Sequence, residues 1–147
     1  MDGGSGTRAL LQLYGTTEPH RFTQDLLHYG QANPMTAAQL GALGVRIDVY
    51  RSRMLSFMAG YDAILCPANA YPAMPHGAAS EHNLSFSYTY AYNLTGWPGA
   101  VVRVGTTAEG LPIGVQIVAR PWREDVALKV AQVLEQEFGG WKRPPMV

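Results

Sequence analysis

Two runs rich in β-branched residues, Gly99 to Val104 and Leu111 to Ala119, are separated only by Gly105-Thr-Thr-Ala-Glu-Gly110. So short a connection, with glycine at each end, makes an antiparallel hairpin the economical reading. Val101, Val102 and Val104 on one arm, with Val115, Ile117 and Val118 on the other, suit a mostly buried sheet. Pro112 stands at the start of its arm, where a missing N–H costs least. Upstream, Tyr61-Asp-Ala-Ile-Leu-Cys-Pro67 is a short apolar run ended by proline, which predicts a third strand entering a loop. That loop, Ala68 to Leu84, holds Pro72, Pro75 and Gly77 and is long enough to be functional or to cover something.

Helical signals flank the strands. Thr36-Ala-Ala-Gln39 is a capping box, in which the Thr hydroxyl and the Gln side chain satisfy opposite backbone N–H groups. Behind it Leu40, Leu43, Ile47, Tyr50, Met54 and Phe57 recur at spacings of three and four. They predict a long amphipathic helix over 36–60, its stripe packed on a core, with Gly60 as the stop signal. Shorter helices are expected from Thr7 to Leu13 and near Phe22 to Tyr29, after a loose terminus over residues 1–6. Glu124 and Asp125 open a last helix over 123–139 carrying Val126, Val130, Val133, Leu134 and Phe138, and Gly139-Gly140 ends it. Its acids suit the positive end of the helix dipole. Ser85 to Leu94 has ambiguous propensity. The order implies an α/β fold, part of a mixed β-sheet flanked by helices. Three strands over 61–119 make a thin sheet.

A chain of 147 residues, 47% hydrophobic, suits one domain with a real core. Eleven basic side chains balance eleven acidic ones, so no basic footprint invites nucleic acid. Cys66 is the only cysteine, which excludes an internal disulfide and leaves no zinc spacing. The first residues lack the basic and apolar regions of a signal peptide, and apolar stretches break well short of a membrane span. The expectation is a soluble, cytoplasmic protein with no membrane or nucleic-acid partner, no metal and no cofactor.

Tyr92-Asn-Leu-Thr-Gly-Trp-Pro-Gly-Ala-Val-Val102 is followed by Gly110-Leu-Pro-Ile-Gly-Val-Gln-Ile-Val118. An Asn-x-x-Gly-x-Pro turn feeding a strand, a Gly-Leu-Pro-x-Gly-x-Gln strand, then a helix entered through an acidic pair resembles the carboxyl-terminal end of the amidase signature family. The strand ending at Pro67 fits the same order. The resemblance runs over nearly the whole chain, 1–147, and is most specific from Tyr61 to Leu134. Each motif alone is weak; their order and spacing are specific. Gly96 allows φ above zero, Pro98 fixes the exit, and Asn93 is expected to hold the turn by bonding its own loop. Gly114 allows a close approach by a neighbouring element.

The resemblance implies hydrolysis of carboxylic amides by a serine nucleophile, a second serine on a cis peptide and a lysine base, with a Gly-rich loop as oxyanion hole. No segment here matches the Gly-Ser-Ser-rich stretch that carries them. Gly3-Gly-Ser-Gly6 has one serine, and only Lys129 and Lys142 exist, neither suitably placed. A serine without a base is a poor nucleophile at neutral pH. No catalytic residue is therefore assigned. Cys66 on an apolar strand reads as packing, since such a setting raises a thiol pKa. His20, His28, His76 and His82 have no metal-binding spacing, and Asn93-Leu-Thr95 reads as a turn despite its sequon. Tyr88, Tyr90 and Tyr92 alternate and in an extended chain share one face, which makes them substrate-pocket candidates, with core packing as the alternative. Arg103 between valines must be paired or lie at a sheet end.

These features describe the carboxyl-terminal part of an amidase, inactive by itself, contributing scaffold and one pocket wall. It would pair with an amino-terminal amidase portion or with itself, over a small-molecule amide substrate. Its barest surfaces are expected on one face of the hairpin and along Leu40, Leu43, Ile47 and Tyr50. A non-enzymatic binding module and a small ligand-binding α/β domain are the rivals. A Gly-Ser-Ser-rich reading frame immediately upstream would favour the first.

Overall fold

The computed structural model describes residues 3–144. The chain forms two compact units, Met1–Val49 and Tyr50–Val147. In the first, α1 (Ser5–Leu13) and α2 (Arg21–Ala32) precede the start of α3 (Ala37–Phe57). Helix α1 begins at Ser5 rather than Thr7, so Ser5 and Gly6 of the stretch expected to be loose are helical. Gly4 sits at φ +85, and a Cβ there would lie 2.6 Å from Leu27 Cδ2, so only glycine lets this turn meet α2. The capping box of α3 forms as its sequence directs. Thr36 N donates to Gln39 Oε1 at 2.8 Å, and Gln39 N donates to Thr36 Oγ1 at 3.2 Å. Of the stripe behind it only Met54 packs against a core cluster, half-buried, and α3 has no fully buried residue.

The second unit is built on three strands, β1 (Ala63–Pro67), β2 (Gly99–Thr106) and β3 (Pro112–Ala119), in the order β1-β3-β2. Both pairings are antiparallel. The hairpin read from the β-branched runs is present, and Thr107 and Gly110 close its turn. Placing β3 in the middle buries its second half, Gln116 to Ala119, on both faces. Two helices complete this unit, α4 (Ser87–Thr95) before β2 and α5 (Glu124–Phe138) after β3, and Ile117 and Ala119 pack with Ala127 and Ala131 of α5. Val118 packs on the opposite face with Met58 and Trp97, and Met54, Ile64 and Tyr92 surround that cluster. The hairpin face expected to be bare is thus covered at Val118. Val101 of the same pair is exposed, and Leu65 and Ile113 add exposed apolar surface on β1 and at the hairpin's far end.

Ser87–Thr95, extended in the alternating-tyrosine reading, is the helix α4. It stops at Gly96, whose φ of +73 closes it in the left-handed conformation. Gly96 N and Trp97 N both donate to Tyr92 O, at 2.8 and 3.2 Å. Asn93 therefore lies inside the last helical turn and not in the loop. Pro98 O accepts from Ala119 N at 3.1 Å, which leads the chain into β2. Gly114 does permit a close approach, but of the next strand: a Cβ there would stand 2.9 Å from Val101 Cγ1.

A bulge between Arg103 and Gly105 interrupts the β2–β3 register. Arg103 then reaches the carboxyl end of α5, where Nε donates to Gly140 O and Nη2 to Phe138 O at 3.2 Å. Helix α5 has no basic residue in its own last turn, so a strand supplies the cation. Its first turn holds Asp125, which Arg123 grips with two bonds of 2.9 and 3.0 Å. No helix among the described residues is long and apolar enough to cross a membrane.

Candidate functional site

The sheet ends where prolines end its ladder. Pro67 is the last partner in the β1–β3 register and Pro112 the last in β2–β3, and proline donates no bond to carry either further. Beyond Pro67 the chain leaves the sheet and folds over this corner. Ala70 N donates to Ser85 O at 3.1 Å, which ties the loop's two ends together. Ser80 Oγ bonds Gly77 O at 3.0 Å, and the Tyr71 and His82 rings meet at 5.4 Å.

Between this loop and the sheet corner lies a cleft of about 960 Å³. Residues 65–77, Ala79, Phe86, Val104 and 112–115 line it. Ligand sites of small-molecule size occupy about 300–1,000 Å³, so the cleft is at the upper end of that range. None of its lining side chains is Asp, Glu, Lys or Arg. Only Cys66, Tyr71 and His76 there can gain or lose a proton. The length and proline content of the loop were the sequence signal for this site; Val104 and Ile113 had none.

Cys66 joins the cleft to a small polar cluster. Buried Gln116 donates to Cys66 Sγ at 3.3 Å and to Tyr88 O at 3.2 Å, and Tyr92 Oη lies 4.0 Å from the sulfur. Burial pushes the Tyr92 phenol up from 10.0 to about 12, and the neighbouring Cys66 adds to the rise. A raised folded-state pKa means the fold favours the neutral phenol. Its contribution is fully present below pH 10 and is lost as pH rises from 10 through 12. Tyrosinate absorbance should therefore show one late-titrating tyrosine, absent in Tyr92→Phe. Stability should fall across that window in the parent more than in the variant. Titration of every tyrosine near 10 would contradict this environment.

The structure separates the three candidate tyrosines. Tyr88 and Tyr92 are one helical turn apart, while Tyr90 diverges, because α4 replaces period two by 3.6. Tyr90 Oη donates to Asn83 O at 2.9 Å, and none of the three lines the cleft. Asn93, Gly96 and Pro98 form the α4–β2 junction already described. In the sequon, Thr95 is buried and bonds Ala91 O at 2.8 Å. Ser5 opens α1, and Lys129 is exposed on α5. His20 caps α2 through its Nδ1, and His76 lies in the cleft wall. Among the described residues no three His, Cys, Asp or Glu side chains are grouped as a metal site.

This sheet, its covering helices and the motif order define a known class of α/β fold. The family model Amidase matches residues 17–128, and the chain belongs to that family. It is 43% identical over 105 residues to a subunit of the glutamyl-tRNA(Gln) amidotransferase of Cereibacter sphaeroides, covering 68% of this chain and 21% of that protein. It is 39% identical over 95 residues to fatty-acid amide hydrolase 2-A of Danio rerio, covering 61% of this chain and 17% of that one. A crystal structure of an amidase matches with a TM-score of 0.74 over 88% of this chain and 31% of that chain, at 22% identity. A 6-aminohexanoate cyclic dimer hydrolase matches with a TM-score of 0.67 at 26% identity, over 83% of this chain and 29% of that chain. The chain spans about a fifth of the length of these curated relatives.

Proposed function

We propose that this chain is the carboxyl-terminal part of an amidase-type hydrolase and forms one wall of the pocket in which a carboxamide C–N bond is cleaved. The observation that carries the reading is the cleft itself, which falls wholly within the Amidase-matched stretch 17–128. In the chemistry this family membership implies, a serine oxygen adds to the carbonyl carbon and the C–N bond breaks. The amine or ammonia leaves with a proton, and water then hydrolyses the acyl-serine to the acid. A lysine moves the protons and no cofactor is needed.

The reading takes the Ser-Ser-Lys set from an amino-terminal amidase portion, which is the partner proposed here. Two features support such a partner. Strands β1 and β2 are both edges of the described sheet, and Leu65 and Val101 on them are exposed. The loop after Pro67 and the sheet corner supply the described walls of the cleft. A reducing, cytoplasmic setting belongs to the same reading, through the free Cys66 thiol.

The test is complementation. The purified chain by itself should not hydrolyse simple carboxamides above the buffer rate. Mixing or co-expressing it with the amino-terminal portion of a related amidase should give turnover at least on the order of 10²-fold over buffer, far below what whole enzymes reach. Turnover by the chain alone that Ser5→Ala abolishes would overturn the assignment of catalysis to a separate segment. A compact monomer that melts cooperatively, binds no hydrophobic dye and complements nothing would favour the binding-module rival.

A further inference from the structure

The chemistry of the cleft wall goes one step past the amidase reading and rests on it for the amide bond of the ligand. We propose that the cleft selects an uncharged, apolar acyl or amine group, as in an N-aryl alkanamide, and rejects a charged amino-acid amide. Three observations converge on this. The wall holds no carboxylate, ammonium or guanidinium, so a charged substrate group would lose its water without gaining an ion-pair partner. His76 is the one lining side chain able to become positive, and it lies exposed at the outer loop. The surfaces offered instead are apolar: Pro67, Met74, Phe86, Val104 and Ile113 converge from the loop, the hairpin and the end of β1.

Size points the same way. A volume of about 960 Å³ is far more than an amino-acid side chain fills. A large pocket with few hydrogen-bonding partners discriminates by removing water, which penalises charge more than it penalises shape. The backbone supports permanence of the space. Pro67 and Pro112 prevent the sheet from extending into it, and the bulge at Val104 bends β2 beside it.

The full chain can be tested without any turnover. N-phenylhexanamide, L-glutamine and 6-phenylhexanoate would each be titrated while backbone amide resonances are followed. The anilide should shift the amides of the non-proline residues within 65–77 and 112–115, with a Kd of about 1 mM or tighter. L-Glutamine should cause no shift there at the same concentration, and the carboxylate should bind about tenfold more weakly or worse. Ile113→Asp places a charge in the wall and should weaken the anilide about tenfold. Ala73→Asp does the same from the exposed loop, and serves if the strand variant does not fold. Equal or tighter binding of L-glutamine or the carboxylate, anilide shifts elsewhere, or no anilide shifts at all would overturn the proposal. These results stand apart from complementation. Anilide binding without complementation sinks the amidase reading alone, and complementation with a glutamine-preferring cleft sinks this one alone.

Discussion

Ile117→Ala is expected to destabilise the Tyr50–Val147 unit by about 2–5 kcal/mol, toward the upper end of that range. Ile117 is fully buried at the centre of β3, opposite Leu65 and Ala100 in the neighbouring strands. Above it lie Ala127 and Ala131 of α5, which already let helix and sheet approach as closely as small side chains allow. The site therefore has little room to collapse after truncation, and the lost methyl groups leave a cavity. A domain of this kind has about 5–15 kcal/mol of stability in all, so the change should lower the urea midpoint steeply. Val133→Ala, on the exposed side of α5, is the control and should stay within about 0.5 kcal/mol. A loss below about 1 kcal/mol at Ile117 would show that β3 is not the centre of this core.

Arg103→Met should cost about 1.5–3 kcal/mol, the scale of hydrogen bonds to a charged group. Methionine keeps most of the length and apolar stem but donates nothing to Phe138 O or Gly140 O. Those carbonyls lie at the end of α5, where the helix has no intrahelical partners left. Hydrogen exchange should rise in the last turn of α5 more than in its first. Arg103→Lys should not restore the loss, because one ammonium lacks the planar fork that serves two separated carbonyls. Full recovery by lysine would reduce the interaction to charge alone.

Local signals account for much of the architecture. Thr36 and Gln39 sit within one turn of each other, and their reciprocal bonds form irrespective of what the helix meets. The hairpin follows from two β-branched arms and a short Gly-bounded turn, and Gly96 stops α4 because few other residues accept its φ of +73. Arg103 was legible as a charge needing a partner, yet beside Gly105 O its partners lie 35 and 37 residues away. The alternation of Tyr88, Tyr90 and Tyr92 misled, since period two predicts a shared face only if the backbone is extended. Here the segment closes as a helix, with Tyr92 packed near Met58, Trp97 and Val118 and Tyr88 O bonded to Gln116. The stripe of α3 misled in a different way. Its helix is real, but a periodic pattern states which face is apolar and not what covers it.

Sequence by itself thus determined the class of fold, the helix caps, the hairpin and the order of motifs shared with amidases, because each depends on residues within a few positions of one another. Tertiary structure alone decided that β3 is the central strand, that Cys66 meets Gln116 and Tyr92, and that the cleft wall carries no fixed charge. The Cys66 contacts, for instance, join residues 26 and 50 positions apart. No local propensity encodes them: packing chooses among the arrangements that local structure leaves open.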